Sequence, residues 1–349
     1  MNRGIGKSEL LAFVVLAIVC AGLLWPYIFG RRMDSRVNMC DFRLAELGFA
    51  VQHAEANARR IPNYRNLWQP SQLIEEQGVK SNRIVGWPLL ALPALGLQPQ
   101  NEMDGYSIES DNRQGEYKEL FNSFALDYAE SAQSQLRNTY LPQLVCPDNP
   151  PIELEQGRPL PGGYISFVAN GGLPDAPKAP AAAVLVDYPA NGLFTDDPHL
   201  SGDQVGWNEY TFRSVSEKDG LDHTLMLSEN IDSGNWIDGK PSGLLFHWRP
   251  VEPIPEGVHV IAVFALNEQR GAGRGKDDMR FARISSNHHG IANAVYASGR
   301  TDRLHESINP RVLQLLMMSS DQEGVWPGTN TPISSTQKPS NPMQSKPTD

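Results

Sequence analysis

An unbroken apolar run opens the chain, a stripe spaced by threes and fours follows it, and short strand-sized segments come after. Residues 10–29 read LLAFVVLAIVCAGLLWPYIF, 20 residues without a charge. That is close to the ~20 needed to cross a bilayer core as a helix. Trp25 and Tyr27 stand near its distal end, where aromatic rings favour the headgroup zone, and Arg31 and Arg32 follow. A secretory signal would carry a shorter apolar core of roughly 7–15 residues and a small-x-small cleavage site. This run instead ends in Tyr-Ile-Phe-Gly-Arg-Arg. The expectation is a retained single-pass helix with the lipid bilayer as the partner of residues 10–29. Charge counting does not orient it, because Arg3 and Lys7 precede the run while Arg31, Arg32 and Arg36 follow it.

From Met33 to about Arg60 the apolar positions recur at helical spacing, with Leu44, Leu47 and Val51 on one stripe. No proline interrupts before Pro62, so the helix is expected to continue out of the anchor and stop near Ile61-Pro62. An anchor followed by an independent amphipathic helix fits the same pattern. Gly86 to Pro93 is apolar but broken by prolines, which reads as a buried loop or short edge element. Tyr117 to Leu136 reads as a helix. Strand candidates are Tyr164–Ala169, Ala183–Asp187, Thr224–Ser228, Leu244–Trp248 and His259–Ala265, the last (HVIAVFA) being the clearest buried strand by pattern. Asn293–Ala297 and Arg300–Leu304 read as a hairpin around Ser298-Gly299. Asn309 caps and Pro310 opens a helix running to Met318. From residue 328 on, Ser, Thr, Pro, Asn, Gln and Lys dominate, the composition of a disordered tail. The divisions are therefore an anchor helix at 1–32, its continuation at 33–62, an extracytoplasmic body at 63–327 and a tail at 328–349.

Composition narrows the class. The 349 residues suffice for one large domain or two modest ones, and 30 glycines with 27 prolines favour a turn-rich β-containing body. A net charge of -10 leaves no basic excess to neutralise phosphates, so nucleic acid is excluded as a partner. Of three cysteines, Cys20 lies inside the apolar run and reads as an inert apolar residue. Cys40 and Cys146 are available as a disulfide pair if the body is extracytoplasmic, and the sequence leaves their pairing open. Two cysteines alone do not make a structural zinc site.

Candidate chemistry is sparse. His288, His289 and His305 with Asp302 and Glu306 form the best acid–base or metal-type cluster. Adjacent histidines at a strand start point opposite ways, so at most one of His288 and His289 faces a given site. The plainer reading is a polar hairpin edge with His288 hydrogen-bonded to the turn at Ser298. Asp219, Asp222, His223 and Glu229 form a second polar group, in which aspartates beside glycine make turns. The acids from Asp196 and Asp197 to Asp203 lack calcium-loop spacing. The mobile-looking glycine-rich loop Gln269–Asp278 fails the phosphate-loop spacing. No hydrolase or metalloprotease signature occurs. The expectation is therefore no catalytic residue, no resident metal and no cofactor.

Several segments together resemble one bacterial family. Gly4, then Glu9 at the fifth position after it, then the apolar run with Pro26, is similar to the start of a type IV prepilin. The resemblance implies cleavage between Gly4 and Ile5 and a role for Glu9 in assembly. Ile5-Gly6-Lys7-Ser8 departs from the usual residues there. Downstream, Cys40 with Leu44, Leu47 and His53, then Gly86-Trp87, Leu144–Asp148 (LVCPD), Tyr164–Gly172 and Asp219–Glu229 follow in order, and His288 to Gly299 closes the series. These resemble the family known as domain of unknown function 1559, of the H-X9-DG type, with His288, Asn293, Ser298 and Gly299 in its naming motif and Ser298 where the family has aspartate. The likeness implies an α+β fold: a long N-terminal transmembrane, pilin-like helix packed on an antiparallel sheet with insertions. It implies a single-pass protein of the cytoplasmic membrane, N-terminus inside and body periplasmic. Its role would be that of a non-enzymatic structural or interaction protein of a pilin-type or secretion-system assembly. An anchored glycan- or peptide-binding protein is the second reading, and a metal-dependent hydrolase the third.

Overall fold

The computed structural model describes residues 7–68, 83–95, 113–126, 139–149, 163–173, 189–197, 210–237, 239–251, 253–256, 258, 260–320, 323, 324, 326 and 331–333, with side chains of the first helix described at 13–22 and from 34 on. The expectations for Gly4, Ile5, the Glu9 side chain, the strand at 183–187, residues 127–136 of the expected helix, and the tail from 334 lie outside these residues.

Helix α1 spans Lys7–Ala58. It ends where the sequence demands: Arg59 takes a left-handed φ of 57°, and Pro62 cannot continue the spiral. Its second half is amphipathic in the strict sense. Cys40, Leu44, Leu47, Ala50 and Val51 are buried, while Arg36, Asp41 and Arg43 point to polar partners at the rim.

The membrane-spanning character expected of this helix is overturned. Among the described residues no helix is long and apolar enough to cross a membrane. From Asp34 onward, charges at Arg36, Asp41, Arg43 and Glu46 break any apolar window.

The body is α+β. Strands β1 (Arg65–Trp68) and β2 (Arg83–Gly86) form a small antiparallel pair. The main sheet has five strands in the order β5-β3-β4-β6-β7, with β3 Phe167–Gly172, β4 Leu225–Glu229, β5 Leu245–His247, β6 Ile291–Tyr296 and β7 Thr301–His305. It is mixed rather than purely antiparallel, because β5 runs parallel to β3. Every residue of β4 is buried, as befits a central strand covered on both faces.

Helix α1 packs on β6, β4 and β7. Gly48 makes the approach possible, since a Cβ there would stand 3.0 Å from Val295 Cγ2 and 3.3 Å from Met226 Cε. Polar ties hold the register: Gln52 Nε2 donates to Ala297 O at 2.8 Å, and Arg303 Nη2 donates to Asp41 Oδ2 at 2.8 Å and to Asn38 Oδ1 at 2.9 Å. Elsewhere the core is filled by Trp87, Trp236 and Trp248, whose indole N–H groups donate to Leu244 O, Thr139 O and Asn191 O.

Two local expectations fail for physical reasons. Gly86–Pro93 is not a loop: Gly86 ends β2, Trp87–Ala91 is a helical turn with Pro88 in its first turn, and Leu92–Ala94 continues as a 3₁₀ turn. The HVIAVFA segment has no strand over its described residues; Val263 is buried, but Phe264 N–H bonds to Arg280 O and no ladder forms. The hairpin of β6 and β7 turns at Gly299, with φ 88°. Asn309 Oδ1 accepts from Arg311 N to start the helix Pro310–Met317.

Candidate functional site

Four distant pieces of chain meet beneath α1. Cys40 comes from the helix itself, and Cys146 from the turn after the 3₁₀ segment Pro142–Leu144. Glu229 is the last residue of β4, and His288 precedes β6. Cys40 and Cys146 are joined by a disulfide. All four residues are buried to 2% exposure or less.

The imidazole of His288 organises the group. Its Nε2 lies 3.1 Å from Glu229 Oε1 and 3.3 Å from Cys146 Sγ. Its Nδ1 lies 2.9 Å from Asp148 Oδ2, an ion-pair distance that is off-axis for a hydrogen bond. Burial works against a charged ring here, but the Glu229 hydrogen bond and the Glu229 and Asp148 charges outweigh it and raise the His288 pKa. Asn293 completes the support. Its backbone N–H donates to Glu229 Oε2 at 2.9 Å and its Nδ2 to Oε1 at 3.4 Å. On the outer side, Arg36 Nη1 bonds Asp148 Oδ1 at 3.0 Å, and Arg43 Nη1 donates to Val145 O at 2.6 Å.

This arrangement differs from the grouping expected of the histidines. His288 does not bond to the turn at Ser298. The six residues of β6, at about 3.3 Å each, carry Ser298 and Gly299 to the other end of the strand. His289 is exposed, and His305 is exposed with Nδ1 2.7 Å from Ser307 Oγ. Asp302 pairs with Arg300, and Glu306 lies near Asn267. Glu229 likewise leaves its expected neighbours, since Asp219, Asp222 and His223 sit in the turn before the opposite end of β4. Asp196 pairs with Arg65, and the buried Asp197 accepts from Leu67 N–H at 3.0 Å. The sequence reading placed His288 and the two cysteines among the candidates but missed Asp148 and Glu229 as their partners.

The glycine-rich loop is neither mobile-looking nor phosphate-binding in form. Gly271 and Gly273 N–H groups donate to the buried carboxylate of Asp232, which also pairs with the buried Arg283 at 2.9 Å. Arg283 Nε and Nη2 donate to Glu268 O. The loop is a cap on an internal ion pair.

Chemically, the centre under α1 has the groups of an acid–base or metal site. Cys40, Cys146, Glu229 and His288 offer ligand-type atoms that all lie within 4.8 Å of one another. All four residues are buried, so any acid–base role would need the centre to open, since an acid–base group must reach the proton it moves.

Fold and centre together define a class: an α+β head in which a disulfide ties a long helix to the turn after Pro142–Leu144, set against a histidine held between two carboxylates. The chain belongs to the family described as "Protein of unknown function (DUF1559)", whose model matches residues 30–311. No curated protein and no solved structure matches it.

Proposed function

We propose that this protein is an extracytoplasmic structural or interaction protein of pseudopilin-like type, with no catalysis of its own. The observation that carries this reading is the division of α1. Its residues 40–51 are buried in the head, whereas residues 13–22 expose a run of large apolar side chains, including Phe13 at 66% and Ile18 at 66%. A helix that ends bare and apolar beyond its own domain is completed by other chains of like character, in the way of a pilin-type assembly. The Cys40–Cys146 disulfide favours an oxidising compartment for the head. The sealed centre favours a supporting rather than a reactive role.

Cys20, free and exposed within the bare stretch, supplies the test. Oxidative cross-linking in cells is expected to give a Cys20-dependent linked species that disappears in Cys20→Ser. A monomer under all conditions would remove the assembly reading. The ligand-binding reading draws on one feature, an open cleft of about 310 Å³ at the end of α1, lined by His53, Asn57, Arg60, Asn66 and Pro93 among others. Glycan and peptide arrays test it directly. The hydrolase reading has less support, because the four residues of the metal-type set among the described residues are all buried and two of them are joined as a disulfide.

A further inference from the structure

We propose that the residues around the Cys40–Cys146 disulfide form a second, mutually exclusive centre: on reduction, Cys40, Cys146, His288 and Glu229 bind one zinc-class divalent cation. Tetrahedral zinc with sulfur at about 2.3 Å and nitrogen or oxygen at about 2.0–2.2 Å needs ligand–ligand edges of roughly 3.3–3.8 Å. Two edges are already near that length: His288 Nε2 is 3.3 Å from Cys146 Sγ and 3.1 Å from Glu229 Oε1. All four ligand atoms lie within 4.8 Å of one another, so closure needs only separation of the two sulfurs and small side-chain adjustments.

The surroundings are those a metal site uses. Asp148 Oδ2 stands 2.9 Å from His288 Nδ1, off-axis as it is, so that a small turn of the ring would give the carboxylate–histidine pairing that orients a metal-bound imidazole. Asn293 N–H holds Glu229 Oε2 at 2.9 Å, while Oε1, at a longer 3.4 Å from Asn293 Nδ2, lies 3.1 Å from His288 Nε2 on the side of the centre. The ligand set also fits the ion: two thiolates, one imidazole and one carboxylate form a closed structural set rather than a catalytic one. Charge is nearly balanced, since two thiolates and one carboxylate against a dication leave one negative charge, with Arg36 and Arg43 nearby on α1.

The step balances with a dithiol as reductant. It delivers two electrons and two protons to the Cys40–Cys146 bond and leaves as its own cyclic disulfide. The cation then displaces the two thiol protons, and any proton on His288 Nε2, to solvent. Either centre ties α1 to the rest of the head. The zinc form would hold the head together before oxidation and the disulfide after it. Burial of all four ligands means that the ion enters as the chain folds or opens, not through a mouth.

The test uses the full chain refolded in the presence of a dithiol and zinc, then passed through a desalting column, with metal content measured. The expected result is about one zinc per reduced chain and none per oxidised chain. Cobalt in place of zinc is expected to give sulfur-to-metal charge-transfer absorption and the intense visible bands of a tetrahedral site. Asp148→Asn, which keeps all four ligands, is expected to weaken binding by about 10–100-fold. His288→Gln is expected to weaken it further. Zinc absent from the reduced chain overturns the proposal. So does zinc retained equally by the oxidised chain, or binding unchanged in both variants. If His288→Gln does not fold, Asp148→Asn and the cobalt spectrum decide.

Discussion

Removing the disulfide has a cost that the structure sizes. In Cys40→Ala with Cys146→Ala, a cross-link between residues 106 apart is lost. Closing a loop of about 100 residues restricts the unfolded chain by about 4.7 kcal/mol near 25 °C in the chain-entropy treatment. The folded side adds to the loss, because both sulfurs are buried at the seam between α1 and the sheet, where a void is not readily filled. The expected destabilisation is about 5 kcal/mol or more, a large share of the ~5–15 kcal/mol that holds a typical domain together. The assay is urea unfolding of the full chain with a metal chelator present, read by tryptophan fluorescence, since Trp87, Trp236 and Trp248 report on the core. The dependence on urea should also steepen, because the freed unfolded chain exposes more surface. Hydrogen exchange adds location: amides of residues 34–58 should lose protection before those of β3 and β4. A variant within about 1 kcal/mol of the parent, or one that loosens β4 first, would refute the view that this bond staples the helix to the rest of the head.

Three further outcomes follow from the packing. His247 is buried, with Nδ1 3.2 Å from Gly172 O, and burial pushes its pKa down to about 4. The unfolded histidine takes a proton as pH falls through ~6.5 while the folded one resists, so stability drops between about pH 6.5 and 4 by up to about 3 kcal/mol. Unfolding midpoints at pH 7 and pH 4.5 should differ more in the parent than in His247→Leu; equal differences would count against this assignment. Arg283→Met leaves Asp232 buried without its cation and should cost about 3–5 kcal/mol in thermal unfolding, with a cost below about 1 kcal/mol contradicting the role given to the pair. Gly48→Leu drives a side chain into Val295 and Met226 and should lose about 1–3 kcal/mol net of leucine's better helix propensity; an unchanged melting temperature would mean that α1 does not lie so close to β6.

What could be read in the sequence was local. The stop of α1 near Pro62, the hairpin around Ser298-Gly299 and the Asn309-Pro310 helix start depend on neighbours within a few residues, and period and cap chemistry carry them. The centre was not legible because its partners are remote: Glu229 is 59 residues from His288, and Cys146 is 142. Nothing in the local pattern separates Glu229 from the turn acids Asp219 and Asp222, and only the antiparallel pairing of β4 with β6 brings it to Asn293 and His288. The HVIAVFA segment shows the opposite failure. Its residues suit a buried strand, but apolar pattern alone does not supply an edge to pair with. The apolar run at 10–29 suggested a span from its local composition, whereas among the described residues no helix is long and apolar enough to cross a membrane.

The account rests most on where the head folds, and the thiols report that directly. Cells making the full chain are quenched in acid, the protein is denatured without reductant in the presence of one alkylating reagent, and it is then reduced and labelled with a second reagent, so that burial of Cys40 and Cys146 does not shield them from the first. Mass spectrometry reads which label each cysteine carries. The account predicts the second label on Cys40 and Cys146 and the first on Cys20. The first label on all three cysteines would contradict it, placing the head in a reducing compartment.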